Sequence, residues 1–414
     1  MIEKITLPNG LRIVYEEMSG VRSAAVGIWI GVGSRLEKYG EAGAAHFIEH
    51  MLFKDTERRT AAELAALMDG VGGHCNAFTT RENTCFYTRV LDTHLTLAID
   101  LLAEMFFEAR FSESDITSES GVITEEIDMY DDTPEDLVME RLLLKAFPGS
   151  LGRPVLGRKG SVRALDGAAL KGFMAREYRP DRVVVSLCGS FRPQHLEQLS
   201  ALFSRLAAGK GSRAAKSAYA PAVVLKRKTT EQNHFCLAWS GLPLGDDERH
   251  AAQLMSTILG GGMSSRLFQT VREQHGLCYS IGSFSASFRE TGLFGVSTAT
   301  GRETEGKALA LIAGEIVRIR EEGVTPTELD RARELVKSSL VMSLESTSAR
   351  MNRLGGSELQ LGYCRETDDV LTRYDAVTRE DVLAVTRRIL EPGSLSLSAV
   401  GRLADAGVYW GLLA

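Results

Sequence analysis

From Met1 to Glu17 the chain reads MIEKITLPNGLRIVYEE, with apolar and polar residues alternating on either side of Asn9-Gly10. A period of two marks strands, and Asn-Gly supplies the positive φ of a tight turn, so a hairpin is predicted, its second strand over residues 11–15. Further strand-like runs fall at 25–30 and 84–90, and a long helical pattern covers 91–107. Strands come in adjacent groups and helices in runs rather than in strict alternation. This order predicts an α+β fold, with helices packed on mostly antiparallel sheets.

The pattern repeats. Residues 165–190 (LDGAALKGFMAREYRPDRVVVSLCGS) read as a helix, a proline stop and a strand ending at Gly189; residues 377–402 repeat this at a shift of 212, carrying Pro180 onto Pro392 and Gly189 onto Gly401. Near the start of each half, AVGIWIG at 25–31 matches FCLAWSG at 235–241 at a shift of 210, superposing Trp29 on Trp239. Two matches at nearly one offset, close to half the chain length, imply a tandem duplication. Periodicity lapses over 207–222, where Gly, Ser and Lys collect, so the expected domains are 1–210 and 222–414.

Composition narrows the class. The 414 residues are 44% hydrophobic and 25% charged, the profile of a soluble globular chain of two or three domains. A net charge of −6 lacks the basic footprint that nucleic acid requires, so no nucleic-acid partner is expected. No apolar run approaches the ~18 residues of a membrane span. The six cysteines, at 75, 85, 188, 236, 278 and 364, form no CxxC pair, which fits a reducing, cytoplasmic setting.

The segment with the clearest chemistry is EAGAAHFIEHMLF at 41–53, which contains His46-x-x-Glu49-His50. At about 100° per residue, His50 lies about 40° from His46 and Glu49 about 60° on its other side, so the three project within one arc. Two neutral imidazoles four residues apart can grip one Zn²⁺, leaving the carboxylate between them to deprotonate a water. The alternative is a pair of core histidines bonded to a glutamate. With eight histidines, the motif is expected by chance only roughly 0.01 times in such a chain.

A third ligand is offered downstream by ITSESGVITEEIDMY at 116–130. Its helical pattern gathers Ile116, Val122, Ile123, Ile127 and Tyr130 in one arc, with Glu119 and Glu126 inside it and Glu125 on the exposed side. Carboxylates facing a core need a cation or a proton. Glu126 is therefore the expected third ligand, and Glu119 is expected to hydrogen-bond a ligating histidine, an ordinary buried ion pair with an arginine being its alternative. The 210 shift places Ser256, Leu259 and Gly260 opposite His46, Glu49 and His50, so one metal site per chain is expected.

These residues resemble the inverzincin peptidases of the pitrilysin family, in which H-x-x-E-H is followed some 75 residues later by a glutamate. Here Glu126 follows His50 by 76 residues. The likeness extends over the whole chain and is nearest to the two-domain group that includes mitochondrial processing peptidase and its bacterial relatives. It implies zinc, peptide substrates and a half-shell fold that pairs with a second half-shell, hence a homodimer. GGHCNAFTTRENT at 72–84 is similar to the family's edge strand, which implies that Asn76 and Ala77 bind an extended substrate backbone. LGGGMSSRLFQTVREQHGLCYS at 259–280 resembles the family's glycine-rich segment and R-x6-Y pattern, which implies that Arg272 and Tyr279 reach the zinc site of the other subunit. Zinc-dependent hydrolysis of unfolded or short, presequence-like peptides is the expected activity. A noncatalytic peptide-binding or assembly subunit of the same fold is the alternative. Residues 403–414 receive no role.

Overall fold

The hairpin forms: β1 (Glu3–Thr6) pairs antiparallel with β2 (Arg12–Glu17), and Gly10 takes a φ of 91° in the turn between them. The structure, a computed structural model, describes residues 1–411. Strands β3 (Ser23–Ile30), β4 (His74–Thr79), β5 (Thr84–Leu91) and β6 (Val183–Gly189) complete a six-stranded sheet in the order β1-β2-β6-β3-β5-β4. The β2–β6 pairing is parallel and the others are antiparallel. A second sheet is built from β7 (Val223–Arg227), β8 (Asn233–Gly241), β9 (Cys278–Ser287), β10 (Gly292–Thr300) and β11 (Ser396–Gly401), in the order β7-β11-β8-β10-β9. Its one parallel pairing, β7–β11, matches β2–β6.

Strand for strand, the second sheet is the first without β1. The repeated segments occupy matching places: Trp29 on β3 and Trp239 on β8, and β6 and β11 each ending on a glycine with positive φ, 119° at Gly189 and 146° at Gly401. One face of each sheet builds a main core, with Ile28, Ile30 and Val185 in the first and Phe235, Leu237 and Val296 in the second, and apolar residues cover the opposite faces as well.

The chain divides into two compact units that are not contiguous halves. One comprises Met1–Asp128, Arg153–Ala215 and Met342–Glu366; the other comprises Met129–Gly152, Lys216–Val341 and the chain from Thr367. The change at Ala215 lies within the aperiodic stretch at 207–222, but each sheet also takes a helix from the other half of the sequence. Helix Thr347–Leu361 packs on β2, β3 and β6, while Pro134–Ala146 packs on β7, β8 and β11. Periodicity can show that such a helix has an apolar face, but not which sheet covers it.

Among the helices that begin in the first unit are α1 (Ala44–Met51), α2 (Ala61–Gly70), α3 (Leu95–Glu108) and α4 (Glu113–Asp132). The helix expected over 91–107 starts at Leu95, because β5 runs on to Leu91 and Asp92–His94 form a tighter turn. The apolar arc expected on α4 is only partly covered. Ile116, Glu119, Ile123 and Thr124 are buried, whereas Val122 and Tyr130 remain 48% and 37% exposed. Val122 lies about 120° around the helix from Ile116, at the flank of the buried stripe. No helix among the described residues is long and apolar enough to cross a membrane.

Residues 412–414 of the tail lie outside the described residues, but its earlier part has an anchor. Tyr409 is fully buried in the second core, and its hydroxyl donates to Glu305 Oε1 at 2.7 Å. Asn233 Nδ2 donates to the other oxygen of the same buried carboxylate. Tyr409→Phe leaves one of these acceptors without its donor, so a loss of about 1–3 kcal/mol in unfolding free energy is expected. Denaturant titration followed by circular dichroism measures it; an unchanged midpoint would remove Tyr409 as the tail's polar anchor.

Candidate metal centre

Helix α1 follows Gly43, whose φ of 96° is left-handed. A Cβ there would also meet the Leu156 carbonyl oxygen at 2.9 Å, so the position favours glycine on both counts. Glycine has no side chain to cap the helix. Glu37 supplies the cap from outside it, its buried carboxylate accepting the Gly43 and Ala45 N–H groups at 2.9 and 3.0 Å. With its start fixed this way, α1 buries Phe47, Ile48 and Met51 and turns His46, Glu49 and His50 to one side.

Helix α4 brings Glu126 to the same place. Glu126 Oε2 lies 3.7 Å from Nε2 of both His46 and His50, and one ligand atom from each of the three residues falls within 4.8 Å of the others. Glu119, seven residues earlier on α4, accepts from His50 Nδ1 at 3.0 Å and from Lys54 Nζ at 2.6 Å. The structure thus brings Glu119 to a histidine of the cluster and also into an ion pair, with a lysine rather than an arginine. Burial raises its pKa, but the bonds from Lys54 and His50 outweigh that and hold it below the ordinary carboxylate range. Glu125 is exposed, as its place on the helix requires.

The donor set suits a divalent ion. Ligands about 2.0–2.1 Å from a tetrahedral Zn²⁺ stand about 3.3 Å apart, close to the 3.7 Å separations here, which exceed a good hydrogen bond. Burial, with a smaller contribution from His50, depresses the His46 pKa to about 3, so that ring is neutral. His46 Nδ1 is buried without a hydrogen-bond partner. The bond to Glu119 assigns a proton to His50 Nδ1, leaving its Nε2 lone pair facing Glu126. The His50 Nε2 lone pair and a Glu126 oxygen thus face each other across 3.7 Å with no donor between them, an arrangement that a cation relieves.

Glu49, half-buried beside the cluster, has a carboxyl pKa raised chiefly by burial, with Glu126 adding to the rise and the Thr79 hydroxyl and His50 opposing it. Thr79 ends β4, the free edge of the first sheet, which packs against α1. Asn76 and Ala77 lie on that edge strand, where Asn76 Oδ1 accepts the Ala77 N–H at 2.8 Å. Arg272 and Tyr279 meet in the second unit. The Arg272 guanidinium lies 4.6 Å from the Phe268 ring centre and 5.0 Å from that of Tyr279, which is 79% exposed on β9.

The second copy of the motif has lost its donors. Ser256 Oγ lies 2.9 Å from Ser283 Oγ, Leu259 is buried in the second core, and a Cβ on Gly260 would come within 2.4 Å of Ser283 N. Two polar residues of the first site, Lys54 and Thr79, lie outside the sequence expectations. Lys54 falls one helical turn beyond His50, a spacing that could flag it, but nothing in the pattern marks Thr79.

Residues 12–159 match the family pattern described as insulinase, peptidase family M16, and residues 164–336 match the peptidase M16 inactive domain. The uncharacterized zinc protease YmxG of Bacillus subtilis is 40% identical over 94% of this chain and 96% of its own length. An uncharacterized zinc protease of Streptomyces coelicolor is 41% identical over 98% of this chain and 90% of its own. Among solved structures, a peptidase M16 inactive domain protein from Pseudomonas fluorescens superposes with a TM-score of 0.92 at 20% identity, covering 98% of both chains. A protease from Helicobacter pylori gives 0.89 at 20% identity, over 97% of this chain and 99% of that one. Both likenesses are of fold. Sequence identity above a third over nearly the full length carries the stronger conclusion: the chain belongs to peptidase family M16, the insulinase family.

Proposed function

We propose that this protein is a zinc-dependent endopeptidase acting on unfolded or short peptides, with one Zn²⁺ per chain held by His46, His50 and Glu126. The observation that carries this reading is the convergence of those three ligand atoms within 4.8 Å beside Glu49, one oxygen of whose carboxyl is buried without a partner. The relatives named as zinc proteases support it. When bound, the metal supplies Lewis acidity toward a water and a peptide carbonyl. Glu49 accepts the proton from the water and returns it to the leaving amine; its raised pKa suits both transfers. The β4 edge receives the substrate as an added strand, whose backbone replaces Asn76 Oδ1 as the partner of the Ala77 N–H. The reading places the enzyme in the cytoplasm, a setting compatible with its six free cysteines. Incubating the purified protein with a mixed peptide library, with and without a zinc chelator, tests the activity by mass spectrometry. Cleavage that the chelator abolishes and zinc restores is expected; intact peptides in every sample would leave the noncatalytic alternative.

The same proposal has the chain act as a homodimer, with Arg272 and Tyr279 of one copy serving the zinc site of the other. The exposed Tyr279 hydroxyl is suited to stabilising an oxyanion, and Arg272 stacks on its ring. Complementation tests the arrangement. Glu49→Gln and Tyr279→Phe should each be nearly inactive alone, yet a refolded mixture should recover activity, because one site of the mixed dimer then has both residues. If the mixture stays as inactive as its parts, the two residues do not act across subunits.

A further inference from the structure

Lys54 leaves the turn that closes α1, where the Phe53 and Lys54 N–H groups donate to the His50 and Met51 carbonyls at 3.2 and 3.1 Å. Its Nζ stands 2.6 Å from Glu119 Oε1, while the other oxygen of that carboxylate, Oε2, stands 3.0 Å from His50 Nδ1. One carboxylate therefore joins an ammonium to an imidazole, with one oxygen for each. Glu119 is only 5% exposed, so solvent offers its oxygens little alternative partnership.

We propose that Lys54 is a positioning residue of the metal centre: by holding Glu119 Oε1 it aims Oε2 at His50 Nδ1–H, which keeps the His50 Nε2 lone pair turned toward Glu126 and His46. The inference rests on the reading that those three residues hold zinc. Without the ammonium, a buried carboxylate has lost its counter-charge and is free to turn about its last side-chain bond. The His50 ring then loses the partner that fixes both its tautomer and its tilt. Outer partners of this kind typically alter metal affinity by about 10–100-fold. Lys54 also belongs to the same turn as the helix that carries His50, so the link from α1 to α4 through Glu119 returns to its own starting element and ties the two ligand-bearing helices together.

The test measures zinc affinity by competition with a chromophoric chelator for the wild type, Lys54→Met, Lys54→Arg, Glu119→Gln and the Lys54→Met/Glu119→Gln double variant. Thermal midpoints of the metal-free proteins are recorded alongside. Lys54→Met should weaken zinc binding about 10–100-fold with little change in the metal-free midpoint. Lys54→Arg should recover most of that loss. The double variant should bind no more weakly than Glu119→Gln alone, because Lys54 acts through Glu119. Should Lys54→Met lower the metal-free midpoint, the double-variant comparison decides, since a purely structural loss adds to that of Glu119→Gln. Additive losses, or a Lys54→Met affinity within about threefold of the wild type, overturn the proposal. A wild type that takes up no zinc overturns instead the functional reading beneath it.

Discussion

Replacing Glu49 by glutamine is expected to lower kcat for peptide cleavage about 10²–10⁴-fold, the usual contribution of a positioned general base, while zinc content stays at the wild-type level. The substitution preserves volume but removes the charge and with it the ability to take a proton. Glu49 belongs to neither pair of close contacts that order the cluster, since Glu126 faces the two imidazoles and Glu119 holds His50. One of its oxygens is buried without a partner, so the exchange breaks no strong bond at that atom. Metal analysis and steady-state kinetics on one preparation make the test. Full zinc with collapsed kcat is the expected pair of results. Undiminished turnover would remove Glu49 as the base, and loss of zinc would make it a ligand.

Much of this site is legible in the sequence because its geometry is local. His46, Glu49 and His50 lie within five consecutive residues of one helix, so the helical repeat fixes their common direction once a helix is granted. The same arithmetic separates Glu126 from its neighbour Glu125, and the structure has the first within the cluster and the second exposed. The duplication is legible too, in paired tryptophans and paired strand-ending glycines that recur on equivalent strands. Features that depend on packing between distant segments are not. Lys54 finds its partner on α4, and helix Thr347–Leu361 covers the sheet formed by the opposite half of the sequence. The apolar arc of α4 exceeds its burial for a related reason: such an arc states what could be covered, and only the packed partner settles how wide that cover is.

Glu126→Gln addresses the long-range half of the site, which joins an acid on α4 to the two imidazoles of α1. Structural zinc in zinc-finger peptides is worth about 10–16 kcal/mol at neutral pH, which shared equally among four ligands is roughly 2.5–4 kcal/mol for each. At about 1.4 kcal/mol per tenfold change, the loss of one carboxylate should weaken zinc binding roughly 10²–10³-fold. A glutamine oxygen keeps the shape of the ligand but not its charge, so binding should be weakened rather than abolished, and excess zinc should recover part of the activity. In this respect the variant differs from Glu49→Gln, which extra metal cannot rescue. Glu125→Gln, on the exposed side of the same helix, is the matched control and should bind zinc within about twofold of the wild type. The comparison isolates direction from composition, because the two glutamates are adjacent and differ only in the face of α4 they occupy. A result in which Glu125→Gln loses zinc and Glu126→Gln retains it would reverse the register of that helix and detach α4 from the metal. The expected order leaves the centre built as its 3.7 Å separations suggest, with a carboxylate supplied across 76 residues of chain to two rings that one short helix already holds together.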